Sequence, residues 1–154
     1  MESSLTGKAL DFGSKECRFD SYVSKIKNSK LNLISNYNIA VRKKSVNIKL
    51  RYSKQNLTLL KKLHSLGIIN NYLLIRNTRY IKFSPSYFCS LPYCSSIKCI
   101  SRGLKSFSIS SKGLNFLKQF SGNTLILLES SAGLLTLNES LQKKKSGKIM
   151  LVIN

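Results

Sequence analysis

The chain has 154 residues, 42% of them hydrophobic, which is enough for one compact body or two small lobes with modest cores and for nothing larger. Against 26 Lys and Arg stand 6 Asp and Glu, giving a formal net charge of +20, a field that repels itself and calls for an anionic partner. The acids are Glu2, Asp11, Glu16, Asp20, Glu129 and Glu139, so no carboxylate occurs between residues 21 and 128, and the paired acids of general acid–base or metal-assisted catalysis are missing from the body; an enzyme is not expected.

Residues 1–18 read as a flexible N-terminal extension. Glu2, Asp11 and Glu16 interrupt its basic character, and no apolar core precedes a small-residue cleavage site, so neither a secretory signal nor a transit peptide is expected. From Phe19, the apolar residues Phe19, Tyr22, Val23 and Ile26 recur at helical spacing and predict a short helix. Residues 31–45, with Asn, Ser and a basic cluster, read as a loop or arm. Val46, Ile48 and Leu50 then alternate with Asn47 and Lys49, as in a strand with one basic face.

Ser53 is a suitable N-cap for a helix carrying Leu57, Leu60, Leu63 and Leu66, and Gly67 supplies the left-handed residue that stops it. His64 lies in this helix with no second histidine or nearby acid, which points to an exposed or packing role. Ile68 to Ile75 and Arg79 to Phe83, separated by Asn77 and followed by Pro85, predict a hairpin that completes an αβαββ lobe over residues 19–83. Residues 84–95 hold both prolines, Pro85 and Pro92, and read as a linker that interrupts regular structure.

The second lobe, residues 96–154, is expected to be mainly antiparallel β with short helices. Ile97 to Ile100 and Leu104 to Ile109 read as strands around a turn at Gly103. Ser111 precedes a short helix with Leu114, Leu117 and Phe120, ended by Gly122, before a buried strand from Leu125 to Leu128. Thr136 followed by Glu139 is a capping box, which holds the preceding loop rigidly. Beyond Lys143, Lys144 and Lys145, Gly147 is expected to break this helix, and Ile149 to Ile153 to form a closing strand. The fold class is therefore α+β with two small lobes.

The four cysteines, Cys17, Cys89, Cys94 and Cys99, contain no C-x-x-C pair, and His64 is the single histidine, so neither zinc nor another cofactor is expected. The cysteines read as packing residues or free thiols, with a disulfide among the central three as the alternative. No segment approaches about 18 uninterrupted apolar residues, so no membrane span is expected.

Several segments resemble the small ribosomal subunit protein eight family over residues 19–154. The family's S-R-P-G-L-R is similar to Ser101, Arg102, Gly103, Leu104, Lys105; its S-T-S-K-G-[VM]-M-T-D to Glu129, Ser130, Ser131, Ala132, Gly133, Leu134, Leu135, Thr136; and its terminal G-G-E to Ser146, Gly147, Lys148. In the first lobe Lys25, Ile26, Lys27, Asn28 resembles R-I-R-N, and Ser53, Lys54 resembles P-S-S-K, with Gly67, Ile68, Ile69 standing where the family has G-F-I. The chain departs from the family in lacking the proline of S-R-P-G, in carrying Glu129 at the first loop serine and Ala132 at the loop lysine, and in an expanded interval between Asn28 and Ser53.

The resemblance implies a structural constituent of the small ribosomal subunit, a primary binder of a helical stem in the central domain of small-subunit ribosomal RNA, with neighbouring ribosomal proteins as further partners and no small-molecule substrate. It implies rRNA-binding residues at Lys27, Asn28, Ser53, Lys54, Ser101, Arg102, Gly103, Lys105, Ser130, Ser131, Gly133, Thr136, Gly147 and Lys148. Small donors on a rigid loop suit the shallow minor groove of an RNA helix, the amides at the start of the Thr136 helix add partial positive charge toward a phosphate, and Lys and Arg orient the complex. Glu129 is expected to turn away, toward Lys148 or solvent. The Lys, Asn, Ile, Leu and Ser bias matches AT-rich coding and an organellar protein made in place, in the mitochondrion or alternatively the plastid. The alternative function is a free-standing RNA-binding regulator of translation, and peripheral membrane association ranks last.

Overall fold

Leu33, Ile34, Tyr37, Ala40 and Val41 recur at the intervals that lay one stripe along a helix, and all are buried on α1, Ser29–Lys43. The computed structural model describes residues 29–75, 79–101 and 105–154. Helix α1 corrects the expected loop or arm at residues 31–45: Asn and Ser favour other conformations locally, but burial of the apolar stripe outweighs propensity. Left-handed Lys44 (φ 51°) ends it, and the Ser45 amide returns to Ala40 O at 2.9 Å. The helix expected from Phe19 to Ile26 lies outside the described residues.

Strand β1, Ile48–Arg51, alternates as expected, with Ile48 and Leu50 inward. Helix α2, Lys54–Ser65, begins after Ser53, whose side chain makes no capping bond, and ends before left-handed Gly67 (φ 74°). Its buried stripe is Asn56, Leu59, Leu60 and Leu63; Leu57 and Leu66, expected inward, are half-buried. His64 is exposed and sets its ring edge against Tyr72 at 5.5 Å between centroids. Strands β2, Ile69–Ile75, and β3, Tyr80–Pro85, form the predicted antiparallel hairpin, and the sheet order is β1-β3-β2.

The expected linker at residues 84–95 contains regular structure after all. Strands β4, Tyr87–Phe88, and β5, Leu91–Pro92, make a small hairpin whose turn residues Cys89 and Ser90 both take positive φ (47° and 65°). That pair of left-handed residues matches the twist of a two-residue hairpin, and Pro85 and Pro92 fit at strand ends where a missing N–H is tolerated.

The second sheet joins β6, Ile97–Cys99, β7, Phe107–Ile109, β8, Leu125–Ser130, β9, Gly133–Thr136, and β10, Gly147–Ile153. Every pairing is antiparallel, in the order β6-β10-β8-β9, with β7 sharing the β6 edge of β10. A bulge between Ile149 and Leu151 sets Met150 out of register. Helix α3, Ser111–Ser121, is capped by Ser110, whose hydroxyl accepts from Gly113 N–H, and buries Leu114 while Phe120 is exposed. Helix α4, Leu137–Gln142, carries the predicted capping box. It ends at Lys143 and left-handed Lys144 (φ 49°), short of Gly147, which opens β10 and does not break the helix.

The larger hydrophobic cluster draws on both sheets: Leu33, Tyr37, Leu60, Ile81 and Phe83 pack with Ile97, Leu127, Leu151 and Ile153. A smaller one, built on Leu114, Ile126, Leu128 and Leu137, lies under α3 and α4. Helix α1 touches both sheets, at β1 and β6. Its Asn38 completes the open edge of β6 as a neighbouring strand would: Nδ2 donates to Ile97 O at 2.9 Å, and Oδ1 accepts from Ile97 N–H at 3.0 Å. Beside it, fully buried Tyr37 donates to Cys94 O at 3.3 Å, and burial holds its phenol well above the usual range. Cys94 and Cys99 are buried, and Cys89 is exposed.

Replacing Asn38 with Ala strips both partners from the Ile97 backbone. Stability should fall by about 1–3 kcal/mol, read in urea as a lower midpoint at unchanged slope.

Candidate nucleic-acid interface

Ser130 and Gly133 pair across β8 and β9, leaving Ser131 and Ala132 as a two-residue turn. The segment expected as a loop is thus the tip of a hairpin, and β9 is an element the sequence reading lacked. The Ser130 hydroxyl is spent closing it, accepting from Ala132 N–H at 3.2 Å and donating to Gly133 O at 3.3 Å. Gly133 takes φ 98°, which favours glycine. Ser131 stands exposed at the tip.

The start of β10 runs hard against this hairpin. A Cβ on Gly147 would come within 2.8 Å of Glu129 O, so the position accepts only glycine without movement. Lys148 consequently lies directly opposite Glu129 in register. Ser108, Ile109, Ser110, Glu129, Ser130, Ser131, Ser146, Gly147 and Lys148 line an open depression of about 450 Å³. Ser108 and Ser110 were missed in the sequence because only the β7–β10 register brings them here, whereas Ser146 adjoins Gly147 in the segment that resembles G-G-E.

On the other side of Glu129 and Ser130 lies a groove of about 200 Å³, walled by Gln55, Thr58 and Leu59 of α2, by Lys30, and by Gly133, Leu134 and Met150. Lys54, exposed, precedes Gln55 at the start of α2, and Ser53 is half-buried behind it. Ser53 and Lys54 themselves line neither depression; the groove is walled by their neighbour Gln55, so the expected site residues that meet at the Glu129–Ser130 ridge come from the second half of the chain.

Glu129 turns to Lys30, at 3.4 Å, and not to Lys148. The reason is the placement of α1, which sets the Lys30 amine between the carboxylate and Met150 Sδ at 3.5 Å. Lys30 was missed because no spacing signal links residues 99 apart. The second described acid, Glu139, accepts from Lys62 Nζ on both oxygens at 2.7 Å and from Thr136 N–H at 2.9 Å. The Lys62 hydrogen bond, then the Thr136 amide, hold its carboxyl below the usual range. Among the described residues these are the two ion pairs, so both carboxylates are engaged within the fold and the surface cations keep their charge.

Other expected site residues serve the fold. The Ser101 hydroxyl donates to Ile149 O and accepts from Phe107 N–H at 3.2 Å, stitching β7 to β10. Thr136 Oγ1 accepts from Glu139 N–H at 3.3 Å, so the Thr136 hydroxyl is engaged in the capping box at the start of the six-residue α4. Lys105 is exposed but lines neither depression. Lys27, Asn28, Arg102 and Gly103 lie outside the described residues.

Among the described residues, no three His, Cys, Asp or Glu side chains gather as a metal site, and no helix is long and apolar enough to cross a membrane. No family model and no curated protein matches the chain.

Two outcomes follow from the packing around the ridge. Gly147→Ala should destabilise the fold by about 1–3 kcal/mol in denaturant titration, because the new methyl meets backbone. Glu139→Gln should cost about 1 kcal/mol at neutral pH. Since the Glu139 pKa is lowered by folding, its charge stabilises above the unfolded carboxylate value and that contribution is lost as pH falls through the folded one. Thermal melts of the two proteins should therefore converge as pH drops below about 4.

Proposed function

We propose that the chain is a structural constituent of the small ribosomal subunit, akin to small ribosomal subunit protein eight, and that it binds a helical stem of small-subunit ribosomal RNA in an organellar, mitochondrial ribosome. One observation carries this reading. Segments that resemble the family's motifs but are separate in sequence, at Ser130–Gly133 and Gly147–Lys148, meet at one rigid hairpin: Ser130, Ser131, Gly147 and Lys148 line the depression on one side of it, and Ser130 and Gly133 share the groove on the other with Gln55, the neighbour of Lys54.

The arrangement suits a stem. The turn at Ser131 and Ala132 is narrow and free of bulky side chains, as approach to a shallow minor groove requires. Half-buried Lys148 lines the depression beside it, and exposed Lys54 stands next to Gln55 of the groove; both supply charge for phosphates without reading sequence. With the Ser130 hydroxyl engaged in its own turn, Ser131 and the backbone of the tip carry the direct contact. Glu129, held by Lys30, is kept from opposing a phosphate.

Crosslinking in purified organellar ribosomes should attach central-domain nucleotides to peptides containing Ser130 and Ser131, and the protein should stay with the small subunit through a high-salt wash. Release in that wash would instead favour a free-standing RNA-binding regulator. In binding titrations on the isolated stem, neutralising about eight phosphates gives a logarithmic salt slope of about −6, and Lys148→Gln should weaken affinity and flatten the slope by about 1. Glu129→Ser should leave affinity unchanged or improved.

A further inference from the structure

The first sheet has two unlike faces. Ile48, Leu50, Ile81 and Phe83 point into the core beneath α1 and α2. On the outer face, register sets Lys49 directly opposite Lys82 and Arg51 directly opposite Tyr80. The third strand continues the rows, with Leu73 opposite Lys82 and Ile75 opposite Tyr80. Tyr80 is 50% exposed and Leu73 68% exposed.

A folded protein gains nothing from this pattern on its own. Like charges directly opposite on a sheet destabilise it, and both described acids are engaged elsewhere, by Lys30 and Lys62. Among the described residues, three cations, an aromatic ring and an apolar floor therefore share one open surface without a counter-ion. A polyanion that also carries flat apolar faces complements all of them. In duplex RNA those faces are stacked away inside the helix, so Tyr80 and Leu73 would meet only backbone; in an unpaired strand they are available.

We propose that the outer face of the β1-β3-β2 sheet binds single-stranded RNA, with Lys49, Lys82 and Arg51 on phosphates and Tyr80 stacked on a base. The site is separate from the Ser131 hairpin and does not depend on it. The chain then joins two RNA segments, an unpaired one on this sheet and a stem at the hairpin.

The test is fluorescence anisotropy with the full chain and a labelled, unstructured twelve-nucleotide strand of mixed A and U at low salt, beside a labelled hairpin stem. Tyr80→Ala should weaken the single strand about tenfold and Tyr80→Phe should restore it, since stacking needs the ring and not the hydroxyl. The double variant Lys49→Gln/Lys82→Gln should weaken it further and flatten the salt slope by about 1.4. The same double variant should melt at or above the temperature of the parent, because a repulsive pair is gone. Stem affinity should change less than twofold in each. The proposal is overturned if single-strand affinity is the same in all the variants, if stem and single strand weaken in equal proportion, or if anionic vesicles occupy this face and the single strand does not displace them.

Discussion

Two antiparallel sheets joined in one chain have no inherent relative orientation, and here helix α1 supplies it. Its buried stripe packs on β1 while the Asn38 amide completes the edge of β6. One helix therefore packs against both sheets, and the larger apolar cluster runs through it without a break. The groove between Gln55 and Gly133 exists because of that registration. The ion pairs Lys30–Glu129 and Lys62–Glu139 span the same junction. Partly exposed pairs of this kind add little individually, so apolar packing and the Asn38 bonds hold the sheets, and the ion pairs act mainly by occupying the two acids among the described residues.

That occupation shapes the chemistry of the surface. Carboxylates left free would neutralise part of a cationic body and repel phosphate. With Glu129 drawn to Lys30 and Glu139 bound between Lys62 and its own cap, the positive potential is left for an external anion. The serines divide in the same way. Ser101 and Ser130 are consumed in stitching strands and closing a turn, whereas Ser131 remains at an exposed tip. Within one short motif, then, some residues preserve the shape of the hairpin and others are left to meet a partner.

The α+β class, the helix after Ser53, the β2–β3 hairpin and the Thr136–Glu139 capping box were legible in the sequence because each carries a local signal: an apolar period, a turn residue, a cap. Helix α1 was not, since Asn32, Ser35, Asn36 and Asn38 mask its stripe, and Asn38 is there for a bond to Ile97 that no local rule reveals. Strand β9 was hidden for a related reason. Glu129 to Gly133 has the composition of a loop, and only pairing with β8 makes it a hairpin. The β4–β5 hairpin was concealed by its prolines. Within the candidate site, Gly147 and Lys148 were named by motif, with Ser146 in the same segment, whereas Ser108, Ser110 and Lys30 depend on register and helix docking that emerge only in three dimensions.

The bulge in β10 has a consequence for how this chain can change. Side chains alternate along a strand, so Ile149 and Leu151 would ordinarily share a face. Met150, inserted between them, reverses the parity: Ile149 packs with Leu128 under α3 and α4, while Leu151 packs with Leu127 toward α1. Deleting that single residue would restore regular alternation and leave Ile149 and Leu151 on the opposite faces they now occupy, whereas losing any other residue of β10 would turn one half of the strand inside out relative to the other. The closing strand can thus tolerate exchanges of one apolar residue for another, and the bulge is the one place where its length can change without reversing either half.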